Sequence, residues 1–287
     1  MPTFADVHGQ ERALGVLRAA LAHARLHHAL LFTGPAGVGK RTAALALATA
    51  LACEIAPGQG CGACATCTRI AEDRHPDVIT LAREGAAQII PIEAVRTQVI
   101  AACAMPPHEA RERVFLVDEA TALPPAAANA LLKTLEEPPA RTRFILMTVA
   151  PDQLLPTIRS RCQRVAFAAL STAARRAVGG AEVEPVVRAA QALLDAVDRG
   201  PDHPGSALGL GQGTGEKLDA AAVIELAAVE LHARARAAVA RGDLGAARLA
   251  AGRAGILLAA HAAVAIHHGH GGVSLEALAL RLQRGGA

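Results

Sequence analysis

The stretch LLFTGPAGVGKRTAALALA, residues 30–48, decides the fold. A short apolar run ends at Gly34, and an alanine-rich segment with high helix propensity follows the glycines. This strand–turn–helix order surrounds the pattern G-x-x-x-x-G-K-[ST], which is met at Gly34, Gly39 and Lys40. Loops of this type turn backbone N–H groups towards phosphates, and the helix start adds partial positive charge. A plain glycine-rich connection is the alternative, but with Lys40 in place the stretch predicts a phosphate-binding loop.

The residue after Lys40 departs from the pattern, because Arg41 stands where Ser or Thr is expected. That hydroxyl normally ligates Mg²⁺. A guanidinium is permanently charged and accepts no hydrogen bond, so we expect Arg41 to repel the cation. Thr42 lies one residue later, about 100° further round a helix, and cannot simply take over the role. The sequence therefore predicts that nucleotide binding survives while metal-dependent hydrolysis is impaired.

A second apolar run, RVFLVDEA at residues 113–120, ends in two acidic residues. We expect Asp118 to face the metal region and Glu119 to orient or deprotonate a water molecule. Two acids are also common at a solvated strand end, but the phosphate loop about 80 residues upstream favours the functional interpretation. The candidate nucleotide-binding residues are Gly34, Gly37, Gly39, Lys40, Arg41, Thr42 and Asp118.

Strands and helices alternate through the first 167 residues. Apolar runs predict strands at residues 29–34, 77–81, 113–120, 143–150 and 164–167. Periodic patterns predict helices at residues 10–24, 40–53, 91–103, 124–137 and 152–163, the last interrupted by Pro156. The glycine- and cysteine-rich stretch 57–67 indicates no regular structure. The alternation predicts a parallel sheet covered by helices on both faces.

Only helices are predicted beyond residue 168. They cover residues 172–199, 217–240, 244–268 and 274–284, with a glycine- and proline-rich break at 199–216. Ser274 is a plausible N-cap of the last helix.

Length and composition suit a protein of about two domains with a largely helical core. The chain has 287 residues, of which 52% are hydrophobic, with no Trp or Tyr. The net charge of +3 neither requires nor excludes a nucleic-acid partner. The N-terminus does not resemble a signal peptide, and no apolar run reaches the length of a membrane span. We therefore expect a soluble cytoplasmic protein with no membrane partner.

Four of the six cysteines form a cluster at Cys53, Cys61, Cys64 and Cys67. In a cytosolic chain this spacing indicates metal binding rather than disulfides. Four thiolates suit a closed, tetrahedral, structural zinc site. An iron–sulfur cluster and unliganded cysteines are the alternatives. Cys103 and Cys162 are interpreted as small residues in helices.

Several motifs occur together in a fixed order along the chain. They are DVHGQERA near the start, the loop at 34–40, the four-cysteine insertion, HPDV (75–78), NALLKTLEEPP (129–139), LPTIRSRCQR (155–164) and SLEALALRL (274–282). This combination resembles the AAA+ subunits of the bacterial clamp loader, the assembly that places the sliding clamp on DNA for DNA polymerase III. The resemblance is good from residue 3 to about 167, and weaker through the middle segment.

The resemblance implies an α/β AAA+ P-loop core with a parallel sheet, followed by an all-α lid and an all-α collar domain. The corresponding boundaries are 1–167 for the core, with a zinc-binding insertion at 53–67, 168–215 for the lid and 216–287 for the collar. The implied partners are the motor (gamma/tau) and delta subunits in a hetero-pentameric ring, and through it the sliding clamp and primer-template DNA. Structural Zn²⁺ is implied, ATP or ADP is an open question, and Mg²⁺ is doubtful.

Two types of clamp-loader subunit share these motifs, the motor type (gamma/tau) and the delta-prime type. The motor carries Ser or Thr after the lysine, whereas delta-prime is commonly degenerate there, so Arg41 favours delta-prime. In a loose alignment Ser206, within DHPGSALGL, stands where the family's lid usually has a nucleotide-contacting arginine. The chain length also suits delta-prime. This type is a component of the DNA polymerase III holoenzyme with weak ATPase activity or none, and Glu119 would then be vestigial.

The resemblance gives Arg161, in the sequence Ser160-Arg161-Cys162, the role of an arginine finger that acts in trans. Such a finger enters the neighbouring subunit's ATP site and stabilises charge on the transferred phosphoryl group. A surface arginine beside Arg159 and Arg164 is the simpler alternative. We therefore expect the chain's catalytic contribution to come from Arg161 rather than from Lys40.

Three other functions are alternatives to the delta-prime type. A motor-type ATPase is disfavoured by Arg41. A distant AAA+ protein such as a branch-migration helicase is disfavoured by the four-cysteine insertion. A separate zinc-bearing DNA-binding module lacks the expected basic cluster and the aromatic residues for base stacking.

Overall fold

Five apolar segments pair into one parallel sheet in the computed structural model of the chain, in the order β2-β3-β4-β1-β5. The strands are β1 (Ala29–Thr33), β2 (Val78–Leu81), β3 (Arg113–Val117), β4 (Thr142–Thr148) and β5 (Gln163–Ala166). The structure describes residues 2–179, 183–199, 220–266, 278, 281 and 282. All five predicted strands are present, which confirms the predicted parallel α/β sheet.

Helices connect the strands, as parallel pairing requires. Those of the first part of the chain are α1 (Glu11–Ala22), α2 (Lys40–Ala52), α3 (Ala65–Ala71), α4 (Ile92–Ala94), α5 (Ala101–Cys103), α6 (Pro125–Glu136) and α7 (Pro156–Arg159). A π-helical stretch, Val95–Ile100, joins α4 to α5. Contact clustering divides the chain into two compact units, Met1–Ala168 and Ala169–Ala287.

The core of the first unit lies between the sheet and its helices. Every residue of β1 and β3 is buried, which explains why both read as continuous apolar runs. The rings of Phe115 and Phe144 stack across β3 and β4 with centroids 5.1 Å apart. Buried alanines on α2, such as Ala43 and Ala46, have small side chains that let this helix pack closely against the sheet. This packing fixes where β1 ends, and therefore where the phosphate loop begins.

The HPDV motif forms a buried corner before β2. Asp77 is fully buried and accepts hydrogen bonds from the N–H groups of His108, Glu109 and Ala110 at 2.7–2.9 Å. Arg113 donates to the same carboxylate at 3.1 Å. Burial alone would raise the pKa of Asp77, but these hydrogen bonds hold it below its usual value. The motif therefore has a structural role, since it holds the loop that leads into β3.

Three local predictions need correction. The helix α3 begins at Ala65, inside a stretch expected to be irregular, because the Cys64 side chain caps it by accepting from the Cys67 N–H group. Pro156 does not interrupt a helix but opens α7, where a missing N–H group has no consequence. Cys162 lies in a bend between α7 and β5 rather than in a helix.

The described residues of the second unit form helices and short connections, with no strand among them. Its helices are α8 (Thr172–Gly179), α9 (Glu184–Arg199), α10 (Ala220–Ala240) and α11 (Leu244–Ile266). The division into a lid (168–215) and a collar (216–287) stays a prediction. Ser206, the Ser274 cap and most of the helix predicted at 274–284 lie outside the described residues. Among the helices that are described, none has the length and apolar character needed to cross a membrane.

Candidate nucleotide and metal sites

The phosphate loop leaves β1 through three glycines with positive φ, Gly34 (+148°), Gly37 (+71°) and Gly39 (+90°). A Cβ atom on Gly34 would lie 2.3 Å from the carbonyl oxygen of Phe167, so only glycine fits against the chain that follows β5. A Cβ atom on Gly37 would meet nothing within 4 Å. Gly34 therefore serves the packing of the loop, whereas Gly37 lies at an open surface of it.

Lys40 is the first residue of α2 and is 9% exposed. Its Nζ atom donates to the carbonyl oxygens of Gly34 at 2.6 Å and Pro35 at 2.5 Å, and so holds the loop in a curl around the helix start. A helix start carries partial positive charge and therefore favours an anion beside it. The result is the arrangement that the motif predicts for a phosphate cradle.

Gln10 anchors the loop to the end of β5, a role that the sequence did not reveal. Its side chain is 3% exposed. Its Nε2 atom donates to the carbonyl oxygens of Val38 at 3.3 Å and Ala168 at 2.7 Å, and its Oε1 atom accepts from the Ala168 N–H group at 2.9 Å. The loop is therefore held by groups of the protein itself.

Arg41 forms an ion pair with Asp118, the acidic residue expected to face the metal. Its Nη1 atom lies 2.8 Å from Oδ2 of Asp118, and the side chains are 48% and 39% exposed. Asp118 follows β3, and the order of the strands brings it to the same sheet edge as the phosphate loop after β1. The sequence singled out both residues as candidates, but it did not show that the guanidinium contacts the carboxylate directly.

Glu119 has a left-handed backbone conformation, with φ of +64°, which is strained for a residue with a Cβ atom. Its Oε1 atom accepts hydrogen bonds from the hydroxyls of Thr121 at 2.6 Å and Thr148 at 2.7 Å. Thr148 is fully buried at the end of β4. A buried threonine that ends an apolar strand was the available signal for this partner, and we missed it.

The four cysteine sulfurs come together between α2 and α3, all within 4.8 Å of one another. The closest pairs are Cys64–Cys67 at 3.4 Å, Cys61–Cys67 at 3.7 Å and Cys53–Cys64 at 4.0 Å. Zinc–sulfur bonds of about 2.3 Å in a tetrahedron place the sulfurs about 3.8 Å apart. The cluster could therefore hold a zinc ion with only small adjustments.

Backbone N–H groups surround these sulfurs, as is common for metal-binding thiolates. Cys53 accepts from the N–H groups of Ala56 and Cys61, both at 3.4 Å. Hydrogen bonds from the backbone of Ala63 and Cys64 lower the pKa of the Cys61 thiol to about 6. Burial raises the pKa of Cys67 to about 12, which opposes a thiolate there unless a cation compensates its charge.

Arg161 lies at the opposite end of the strands from the phosphate loop. It precedes β5, whose first residue pairs with Leu30 near the start of β1. Because β1 runs at least about 10 Å further before its loop begins, Arg161 is far from its own Lys40. Its guanidinium pairs with Glu136 at 2.5 Å and donates to the Thr157 carbonyl oxygen at 2.8 Å, and it is one-third exposed.

The structure therefore brings together some of the predicted residues and separates others. The phosphate loop, Asp118 and Glu119 meet at the carboxyl end of the sheet, with Thr42 partly buried in the first turn of α2. The four cysteines form a separate cluster, and Arg161 lies at the amino end of the sheet.

The family model and the curated relatives agree on one family. The family model described as "DNA polymerase III, delta subunit" matches residues 9–171, more than half of the chain. DNA polymerase III subunit tau of Salmonella typhimurium is 42% identical over 169 residues, which is 58% of this chain and 26% of the relative. DNA polymerase III subunit delta' of Escherichia coli is 40% identical over 190 residues, 66% of this chain and 56% of the relative.

The chain thus spans between about a quarter and just over half of the length of these two relatives. Among solved structures, a gamma subunit-related protein from Thermotoga maritima is 18% identical with a TM-score of 0.43, over 92% of this chain and 91% of that one. Relatives named tau and delta' both match, so the comparisons do not separate the two types. From the family model and the curated relatives together, the chain belongs to the DNA polymerase III delta subunit family, the clamp-loader subunits of DNA polymerase III.

Proposed function

We propose that this chain is a delta-prime-type subunit of the DNA polymerase III clamp loader. In this role it helps to load the sliding clamp onto primed DNA in the cytoplasm and hydrolyses little or no ATP itself. The observation that carries the proposal is the ion pair between Arg41 and Asp118. This ion pair places a guanidinium against the carboxylate that a hydrolysing site would use to bind its metal ion.

We also propose that Arg161 acts as an arginine finger in trans, and its position in the fold supports this role. Its side chain lies at the sheet edge opposite its own phosphate loop, so any phosphoryl group that it contacts belongs to another subunit. Its present partners, Glu136 and the Thr157 carbonyl group, leave one-third of the side chain exposed. Exposed ion pairs contribute little to stability, so the guanidinium can exchange Glu136 for a phosphate at small cost.

We further propose that the four cysteines hold structural zinc. The cluster supplies four sulfur donors and leaves no position for a substrate, which is the pattern of a structural site. A zinc ion would tie the end of α2 to α3 and compensate the charge of the thiolates. The partners of the proposed subunit are the motor (gamma/tau) and delta subunits of a hetero-pentameric ring, with the clamp and primer-template DNA reached through it.

The decisive experiment is DNA-stimulated ATP hydrolysis by a loader reconstituted from this chain with motor and delta subunits. Arginine fingers contribute about 10³–10⁵ in rate to the site they serve. We therefore expect Arg161→Ala to abolish the share of turnover that comes from the adjacent motor site. Arg159→Ala is the matched control, because that neighbouring arginine pairs with Asp152 at 2.7 Å and should leave turnover unchanged. Unchanged turnover with Arg161→Ala in a fully assembled loader would overturn the finger.

The motor-type ATPase is the second candidate, supported by the retained Asp118 and Glu119. It is tested with the purified chain alone in excess Mg²⁺. Brisk hydrolysis that Glu119→Gln abolishes would assign the chain to the motor type. Negligible hydrolysis, with assembly into the loader intact, is the result expected for the delta-prime type.

A further inference from the structure

We propose that the phosphate loop binds a nucleoside di- or triphosphate without a divalent cation, and that Arg41 takes the place of the cation. This inference rests on the proposed function only in taking the loop as a nucleotide site. It concerns how the ligand is held rather than whether the chain supports its neighbour's hydrolysis.

The residues around Asp118 do not suit the Mg²⁺ ion that this loop type ordinarily uses. Magnesium binds oxygen ligands at about 2.0–2.1 Å in a strict octahedron. Here the hydroxyl ligand is replaced by Arg41, and Oδ2 of Asp118 already accepts a hydrogen bond from that guanidinium at 2.8 Å. A cation bound to the same carboxylate would lie beside a fixed positive charge. The donor set therefore favours an arginine at this position over a metal ion.

The loop itself retains what a phosphate needs. Arg41 lies in the first turn of α2, where backbone N–H groups and the helix dipole favour a bound anion. Gly37 leaves the adjoining surface free of any side chain. A phosphate at this helix start would be within reach of the side chains of Lys40 and Arg41, and a guanidinium offers the paired donors that suit phosphate oxygens.

Arg41 is free to move between the two anions. Its side chain is 48% exposed, and its ion pair with the 39%-exposed Asp118 is of the kind that contributes little. Asp118 and a bound phosphate therefore compete for one guanidinium. This competition gives the site a property opposite to that of a magnesium-dependent loop, because the acidic residue weakens nucleotide binding instead of supporting it.

The test is binding of ADP to the purified full-length chain by titration calorimetry, in EDTA and in excess Mg²⁺. We expect Mg²⁺ to leave the affinity unchanged or to weaken it, since it withdraws free ADP from solution. Arg41→Ala should weaken binding about tenfold, the size of a lost charged hydrogen bond. Asp118→Asn should tighten binding about two- to fivefold, because it releases Arg41 from an exposed ion pair.

A gain-of-function variant completes the test. Arg41→Thr restores the hydroxyl, and we expect its ADP binding to become stronger with Mg²⁺ than with EDTA. Tightening of wild-type binding by Mg²⁺, weakening by Asp118→Asn, or no ADP binding at millimolar concentration would each overturn the proposal. Circular dichroism of each variant separates these outcomes from misfolding. The loader ATPase assay with Arg161→Ala is independent of all of them, so the proposed function can stand or fall separately.

Discussion

The phosphate loop and the four-cysteine cluster are both built around anionic groups, and they balance that charge in different ways. At the loop, the protein provides its own cation, since Arg41 contacts Asp118 at 2.8 Å. At the cluster, four sulfurs face one another at the spacing that a zinc ion requires. In our proposals the first site is complete within the chain, whereas the second takes up an ion from outside.

A chain can therefore keep the sequence motif of a site without keeping the cofactor that the motif usually binds. The glycines and Lys40 keep the shape of the loop because Gln10 and the loop's own carbonyl groups hold it. The cysteine loop is held largely by backbone N–H groups that donate to its sulfurs, so its shape depends on the same thiolates that an ion would bind. We therefore expect metal removal to damage the cluster and to leave the phosphate loop intact.

The largest effect should follow loss of the metal. Cys64→Ser removes a sulfur whose nearest neighbour is 3.4 Å away, while the serine hydroxyl can still cap α3. We expect the bound zinc to fall from one equivalent to near zero and the free energy of unfolding to fall by about 4 kcal/mol. Metal analysis and denaturant unfolding measure both quantities.

Cys103→Ser provides the matched control, since this half-buried cysteine lies outside the cluster. It should keep full zinc content. If Cys64→Ser retained one equivalent of zinc, or if the wild-type chain bound none when purified with zinc present, the contrast between the two sites would be lost.

The next effect concerns the shape of the phosphate loop. Gly34→Ala forces a Cβ atom to within 2.3 Å of the Phe167 carbonyl oxygen at φ of +148°. We expect a loss of about 3 kcal/mol in unfolding free energy from the clash and the backbone strain. Gly37→Ala has the strain without the clash, so it should cost about 1 kcal/mol. Equal losses for the two variants would contradict the packing role of Gly34.

A smaller effect is predicted for Gln10→Ala. It leaves the buried carbonyl group of Val38, and the carbonyl and N–H groups of Ala168, without the Gln10 side chain that they bond. We expect a loss of about 2 kcal/mol, measured by denaturant unfolding with the zinc content unchanged. Gln153→Ala, at an exposed position, is the control and should be neutral. A fall in zinc content with Gln10→Ala would show that the two sites are not independent.

The smallest effect should come from the ion pair at the loop. A double-mutant cycle of Arg41→Ala and Asp118→Ala should give a coupling of about 0.5 kcal/mol, because both side chains are well exposed. Thermal unfolding of the four proteins measures it. A coupling above about 2 kcal/mol would mean that the pair serves stability, and would weaken its interpretation as a substitute for a metal ion.

Most of the first unit's fold could be predicted from sequence because buried parallel strands read as continuous apolar runs. Four strands were found within two residues at each end, and the third, predicted over residues 113–120, ends three residues earlier at Val117. The helix at Ala65–Ala71 was missed because it is short and because its N-cap, Cys64, is a thiol rather than one of the usual oxygen-bearing residues. Local pattern rules carry no information about such a start.

The sequence named the candidate residues of the site, but it did not predict the contacts between them. Thr148 holds Glu119 from 29 positions away, and Gln10 reaches Ala168 across 158 positions. Both contacts arise from the order of strands in the sheet, which places distant segments side by side. The ion pair of Arg41 with Asp118 has the same origin, since β4 and the register of the sheet bring the ends of β1 and β3 to one edge.

The separation of Arg161 from the phosphate loop also limits the symmetry of any assembly that uses both. If Arg161, at the amino end of one subunit's sheet, enters the phosphate loop at the carboxyl end of the next subunit's sheet, the contact joins two different surfaces. Such a contact is heterologous, so a two-fold dimer cannot satisfy it, and repeated copies form a ring or a helix with a direction. In such a directional row of subunits, one that provides Arg161 but whose own loop binds no metal ion stands at one end.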